Sequence, residues 1–186
     1  MLFKQLFDKE SCTYTYLIAD PATKEAVLID PVNTQLAVYL TLLQENDFTL
    51  KYSLETHVHA DHVTASGQLR QKVGAKTAVS SLCGADSADI QIQDGDVFEF
   101  GADESIKVIA TPGHTPGSTS FLWRDRVFTG DTLLINGCGR TDFQGGSAEA
   151  QYDSITQRLF TLSDDTIVYP GHDYKGRWIS NIAQER

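Results

Sequence analysis

The stretch THVHADH places His57, His59, Asp61 and His62 within six consecutive residues. The chain has only five histidines, and the other two, His114 and His172, lie in the segments TPGHTPGS and YPGHDYKG. Asp131 lies in a further glycine-flanked segment, FTGDTLL. Imidazole and carboxylate are the side chains that bind borderline and hard metal ions. Drawing every histidine of a chain into three such segments, with an aspartate in a fourth, is expected of a metal site and not of scattered surface residues. Residues two apart on an extended segment point the same way, so His57 and His59 can face one cavity, while Asp61 and His62, beyond the bend, aim at a neighbouring position. Seven candidate ligands are more than one ion uses. The residues therefore admit two adjacent metals, or one metal whose ligands are oriented by the remaining polar groups.

The elements that must carry these residues are legible as hydrophobic patterns. TYTYLIA (13–19) and EAVLID (25–30) read as strands, the second ending at a turn signal, Asp30-Pro31. Residues 34–45 put Leu36, Leu40 and Leu43 on one helical face, and KYSLET (51–56) reads as a strand that delivers the histidine cluster at its C-terminal end. Residues 63–74 fit a helix with Leu69 and Val73 inward and Gly74 just past its end. Short β runs follow at 77–80, 96–100, 106–111, 119–124 and 126–130, the last two joined tightly at Asp125. AEAQYDSITQRLFTL (148–162) spaces Ile155, Leu159 and Leu162 as an amphipathic helix, and TIVYP (166–170) is a closing strand. His114, Asp131, His172 and the THVHADH cluster then each follow the C-terminal end of a strand. Strand ends anchor while loops converge. The pattern predicts an α/β (α+β) fold of two β-layers flanked by helices, in one domain spanning residues 1–186.

Composition narrows the class. A net charge of −10 and a pI of about 4.8 set the chain against nucleic acid and anionic membrane surfaces. No apolar run is long enough to span a bilayer, and MLFKQLFDKESC lacks the uninterrupted apolar core of a secretory signal, so a bacterial cytoplasmic location is expected. Cys12, Cys83 and Cys138 are odd in number and form no CxxC pair, which argues against a disulfide framework and a structural thiolate zinc site. Trp123 and Trp178 are assigned to packing.

HVHADH followed by a later His, a GD loop and a final His resembles the metallo-β-lactamase fold superfamily, whose signature is HxHxDH; the likeness runs over essentially the whole chain. It implies an αβ/βα sandwich of two mixed sheets flanked by helices, with metal in a groove at one edge. ETHVHADH, TPGHTPGS, GDTLLINGCGRTDFQGG and YPGHDYKG are similar, more narrowly, to the persulfide dioxygenases (sulfur dioxygenases), GCGRTDFQ being the most discriminating run. That resemblance implies one non-haem Fe(II) per chain held by His57, His114 and Asp131. Two imidazoles and one carboxylate leave about three coordination positions open, which suits an iron that meets both O2 and a substrate. His59, Asp61, His62 and His172 would then orient the ligands and hold the tautomers of His57 and His114. The implied reaction converts glutathione persulfide, O2 and water to glutathione and sulfite. A homodimer and a rhodanese partner, fused or separate, are associations that the resemblance admits.

Glutathione carries two carboxylates, and the cationic or hydroxyl side chains that follow metal loops are Arg140, Tyr174, Lys175 and Arg177. The alternative activity is a dizinc hydroxyacylglutathione hydrolase, in which the same seven polar residues hold two zincs. Those hydrolases carry a further C-terminal helical region, for which the short stretch ending NIAQER leaves no room. A second alternative, from another class, is a non-catalytic metal-binding or redox-sensing domain that uses Cys138.

Overall fold

A computed structural model describes residues 1–186. Twelve strands form two six-stranded sheets. In the first, β1 (Leu2–Asp8), β2 (Thr13–Ala19) and β3 (Glu25–Ile29) are antiparallel neighbours, and β3, β4 (Thr49–Leu54), β5 (Lys76–Ser80) and β6 (Ile90–Ile92) continue in parallel. In the second, β7 (Val97–Phe100), β8 (Glu104–Ala110), β9 (Thr119–Trp123) and β10 (Arg126–Gly130) are antiparallel, β11 (Ile167–Pro170) joins β10 in parallel, and β12 (Ser180–Asn181) closes the edge.

Alternation along β2 explains the layering. Tyr14, Tyr16 and Ile18 enter a core shared with Phe98, Phe100, Val108, Phe121 and Phe128 of the opposite sheet. Leu17 and Ala19 face the other way, onto Tyr39 and Leu43 of α1 (Leu36–Asn46) and Leu69 of α2 (Ser66–Val73). All seven residues of β2 are buried, as a strand covered on both faces must be. On the far side, Val127 and Val168 pack against Leu159 and Ile182, which follow α3 (Ala148–Asp153) and open α4 (Ile182–Glu185). The expected helix–sheet–sheet–helix architecture is present.

Local departures have physical causes. β1 was not expected, because its two faces are both apolar: Phe3 and Phe7 pack on the inter-sheet core and Leu2 and Leu6 on the α1 side, which hides the period of two. The helix expected over 148–162 is α-helical only to Asp153 and continues as a wider π turn over Ser154–Leu159, where the Ser154 hydroxyl donates to Pro112 O at 2.6 Å. Val73, expected inward, is 37% exposed, whereas Gly74 ends α2 with φ +74 as expected. Arg124 belongs to the β9–β10 turn with Asp125 and not to a strand. Trp123 is buried; Trp178 is 52% exposed, its ring against Tyr14 at 5.6 Å. No helix is long and apolar enough to cross a membrane.

The carboxylate of Asp8 ties the end of β1 to the start of α1. Its Oδ2 accepts from the Ser11 N–H at 2.9 Å and its Oδ1 from Thr34 Oγ1 at 2.8 Å and Gln35 Nε2 at 3.0 Å. Burial pushes its pKa up, but these donors outweigh it and hold the group well below the usual carboxylate range. A depressed folded-state pKa stabilises the fold above the unfolded value of about 3.9, and that contribution is lost as pH falls toward the folded value. Asp8→Ala should therefore cost about 2–4 kcal/mol at neutral pH. In urea titrations the gap from wild type should narrow below about pH 4; a gap independent of pH would contradict the assignment.

Candidate metal centre

The strand ends converge as expected. His57 lies three residues beyond β4, His114 four beyond β8, Asp131 directly after β10 and His172 two beyond β11. Ligand atoms of His57, His114 and Asp131 come within 4.8 Å of one another. The rings of His57 and His114 meet edge-on at 4.8 Å, and His114 Nε2 is 3.5 Å from Asp131 Oδ2. Gly130 and Gly139 make this approach possible. Gly130 adopts φ +51 with Thr56 Oγ1 only 2.6 Å from where a Cβ would sit, and a Cβ on Gly139 would meet Asp131 O at 2.4 Å.

Hydrogen bonds fix which face each ring presents. His57 Nδ1 donates to Thr56 Oγ1 at 2.9 Å, because that hydroxyl gives its own proton to Asp30 Oδ2 at 2.8 Å. His114 Nδ1 donates to the Arg140 carbonyl at 2.7 Å. Each ring thus turns Nε2, with its lone pair, toward the centre. Burial, and then the neighbouring imidazoles, hold the pKa of His57 well below its ordinary value, which leaves the ring neutral. Asp131 Oδ1 is buried without a hydrogen-bond partner. Two imidazoles and a carboxylate with an unspent oxygen are a donor set that fits a divalent transition metal.

The remaining four residues are present but differently engaged. His59 lies beside His57, the ring centres 4.1 Å apart and the planes tilted by 51°, yet its Nε2 faces Glu55 Oε2 at 3.2 Å and Asp30 Oδ1 at 3.3 Å. Burial opposes charge on this ring, but the two carboxylates outweigh it and raise its pKa well above the ordinary value. Asp61 Oδ2 accepts from His62 Nδ1 at 2.8 Å and from Thr13 Oγ1 at 3.1 Å. His172 Nδ1 donates to Cys12 O at 3.2 Å, and its Nε2 lies 3.6 Å from both Asp131 Oδ1 and Asp61 Oδ2.

Asp30, Glu55, Thr56 and Thr13 were not singled out from the sequence. Asp30 had a signal: an aspartate ending an apolar strand, as Asp131 does, which was read only as a turn. Thr13 and Glu55 had none: they belong to strand-like runs, and their partners, Asp61 for Thr13 about 50 residues on and His59 for Glu55 four residues on, are met only through the fold of the loop.

The residues expected to meet glutathione divide. Arg140 is exposed, its guanidinium paired with Asp142 at 2.7 and 3.0 Å. Tyr174 is 72% exposed with its ring parallel to His172. Lys175 is exposed. Arg177 bonds Asp173 Oδ1 through Nε and Nη2, while Asp173 Oδ2 accepts the Lys175 and Arg177 backbone N–H groups, so Arg177 holds its own loop. Cys138 is an exposed free thiol.

Residues 12–82 and 84–172 match the metallo-beta-lactamase superfamily. The chain is 47% identical to the mitochondrial persulfide dioxygenase ETHE1 of Bos taurus, over 100% of this chain and 74% of that protein. It superposes on the crystal structure of ETHE1 from Myxococcus xanthus with a TM-score of 0.96 at 56% identity, covering 100% of this chain and 81% of that one. The chain belongs to the persulfide dioxygenase family. A hydroxyacylglutathione hydrolase of Brucella anthropi is more distant, 39% identical over 88% of this chain and 62% of that protein. The persulfide dioxygenase likeness thus extends over the whole chain, both sheets and every loop described above.

The Thr56 hydroxyl alone links Asp30 to His57 Nδ1. Thr56→Val keeps the side-chain shape and the Thr56 N–H bond to Asp30 Oδ1 at 2.7 Å. It should weaken metal affinity by about 10- to 100-fold, and it should also lower the apo-protein melting temperature, because Asp30 Oδ2 loses its one donor. Competition with a chromophoric chelator reads this, and unchanged affinity would mean that the tautomer of His57 is set elsewhere.

Proposed function

We propose that this chain oxidises glutathione persulfide with O2 and water to glutathione and sulfite, using one Fe(II) held by His57, His114 and Asp131. The observation that carries the single-ion reading is the division of the seven polar residues. His57, His114 and Asp131 bring ligand atoms within 4.8 Å of one another with Asp131 Oδ1 unpartnered, while His59 turns Nε2 onto Asp30 and Glu55 and Asp61 Oδ2 accepts from Thr13 and His62; His59 Nδ1 and His62 Nε2 are unpartnered as well. His57, His114 and Asp131 would hold the ferrous ion, which when bound would supply a redox path between the persulfide sulfur and O2, the sulfane sulfur giving the four electrons that O2 takes up.

The chain's own residues do the rest. Thr56 and the Arg140 carbonyl hold the two imidazoles in the tautomer that leaves Nε2 free. Asp131 is fixed through its backbone, whose carbonyl accepts the Gly139 N–H at 2.8 Å. His172, held by Cys12 O, turns Nε2 toward Asp131 Oδ1, where it can receive a proton from water entering the site. No general base for the substrate is needed, since a persulfide is already largely ionised near neutrality. Arg140, Tyr174 and Lys175 are exposed and would supply contacts for the glutathione carboxylates.

Protein purified without oxygen should contain about one iron per chain and consume O2 with glutathione persulfide, yielding sulfite. Two zincs per chain with thioester hydrolysis and no O2 uptake would instead establish the hydrolase. His114→Ala and Asp131→Ala should each lose iron retention and O2 uptake together, by metal analysis and oxygen electrode. Arg140→Ala behaves differently on this reading: it removes a substrate contact but keeps the backbone carbonyl that orients His114. Its KM for glutathione persulfide should rise severalfold at unchanged iron content. Unaltered kinetics would remove Arg140 from the substrate site.

A further inference from the structure

Gln151 is buried in α3 and meets the loops of the metal centre at three places. Its backbone presses on the His114 loop: a Cβ on Gly113, whose φ is +149, would stand 2.3 Å from Gln151 Cα. Its side-chain Nε2 donates to Gly139 O at 2.8 Å and to Thr132 O, next to Asp131, at 3.3 Å. Its Oε1 is buried without a partner. The amide therefore acts through its N–H groups, and the reverse orientation would set an oxygen against two carbonyl oxygens.

Gly139 depends most on this contact. It has no side chain to pack, and a Cβ there would meet Asp131 O at 2.4 Å and His114 Nδ1 at 3.0 Å. Two hydrogen bonds hold it: its N–H donates to Asp131 O at 2.8 Å, and its carbonyl accepts from Gln151. The next residue, Arg140, turns its own carbonyl onto His114 Nδ1 at 2.7 Å. With the Gly139 carbonyl released, the wide range of backbone angles open to glycine lets the Gly139–Arg140 segment rotate away from that ring.

We propose that Gln151 is a positioning residue for the metal centre: its buried amide pins Gly139 and thereby aims the Arg140 carbonyl at His114 Nδ1. The proposal rests on the reading of His57, His114 and Asp131 as ligands. Gln151 bonds none of those three side chains and acts through two backbone carbonyls. The unpartnered Oε1 bears on the choice of residue. An apolar side chain of the same length would bury no such atom, so glutamine carries a cost here that its donated bonds must offset.

The test compares wild type with Gln151→Met, which keeps the length of the side chain and removes the donor, and with Ser147→Ala. The Ser147 hydroxyl caps α3 by accepting the Ala150 N–H at 3.2 Å and makes no bond to a ligand loop. In metal-free protein, the His114 Nδ1–H resonance should be protected from exchange with water in wild type and in Ser147→Ala. In Gln151→Met it should exchange severalfold faster. Zinc(II) affinity, by chelator competition, should fall about 10- to 100-fold in Gln151→Met and keep its wild-type value in Ser147→Ala. Both variants should lower the melting temperature, so equally weakened binding in Ser147→Ala would reduce Gln151 to a helix contact and overturn the proposal. Wild-type exchange and affinity in folded Gln151→Met would overturn it too. If Gln151→Met does not fold, Gln151→Asn, whose amide is one methylene short of Gly139 O, is read in the same way. Wild-type zinc affinity in His114→Ala would instead overturn the ligand reading, while the exchange measurement, made without metal, still decides for or against Gln151.

Discussion

The buried carboxylate of Asp30 is the interaction on which the site depends. It ends β3 with φ 50, is fully buried, and accepts the Thr56 N–H, the Thr56 hydroxyl and the His59 ring. A buried carboxylate costs several kcal/mol unless its lone pairs are met. Here all its donors come from the loop after β4, the strand beside β3. The group therefore joins a strand end to the histidine loop and sets two rings at once: His57 through the Thr56 hydroxyl and His59 directly. Asp30 needs that loop as much as the loop needs Asp30.

The same network engages the seven ligand-type residues unequally. Side-chain identity gives capacity, and hydrogen bonding decides how much of it is used. His59, held charged between Asp30 and Glu55, has no lone pair to offer at Nε2. His57, buried among other imidazoles with one donor to dispose of, is neutral and has one. Two histidines a single residue apart thus take opposite protonation states because one is beside two carboxylates and the other beside a hydroxyl.

This is also where the sequence stopped being informative. Strand-end placement of His57, His114, Asp131 and His172 was legible because apolar runs and glycine-flanked loops are local signals. The layered fold was legible because β2 and the helices carry clear periods. β1 escaped notice because it is apolar on both faces, and the π turn after α3 because its leucines remain compatible with helical spacing. Thr13 and Asp30 act through partners distant in the chain, Glu55 through a loop that folds back on it, and a threonine in a strand-like run looks the same whether its hydroxyl meets water or Asp61. Fold and ligand candidates are written in local pattern; the hydrogen bonds that select among the candidates are tertiary.

Charge poses the remaining constraint, since a chain of net charge −10 must admit an anionic substrate. The cations at the open side are not equivalent for this. Arg177 is bound through two nitrogens to buried Asp173, whose other oxygen holds two backbone N–H groups, so withdrawing it would strand a carboxylate inside the loop. The Arg140–Asp142 pair lies in solvent, where an ion pair contributes little and is readily exchanged. Arg140 is therefore free to leave Asp142 at small cost, and it is also the residue whose carbonyl orients His114. On the proposed reading, substrate recognition and ligand orientation meet on one residue but use separate atoms, the guanidinium for the first and the backbone oxygen for the second.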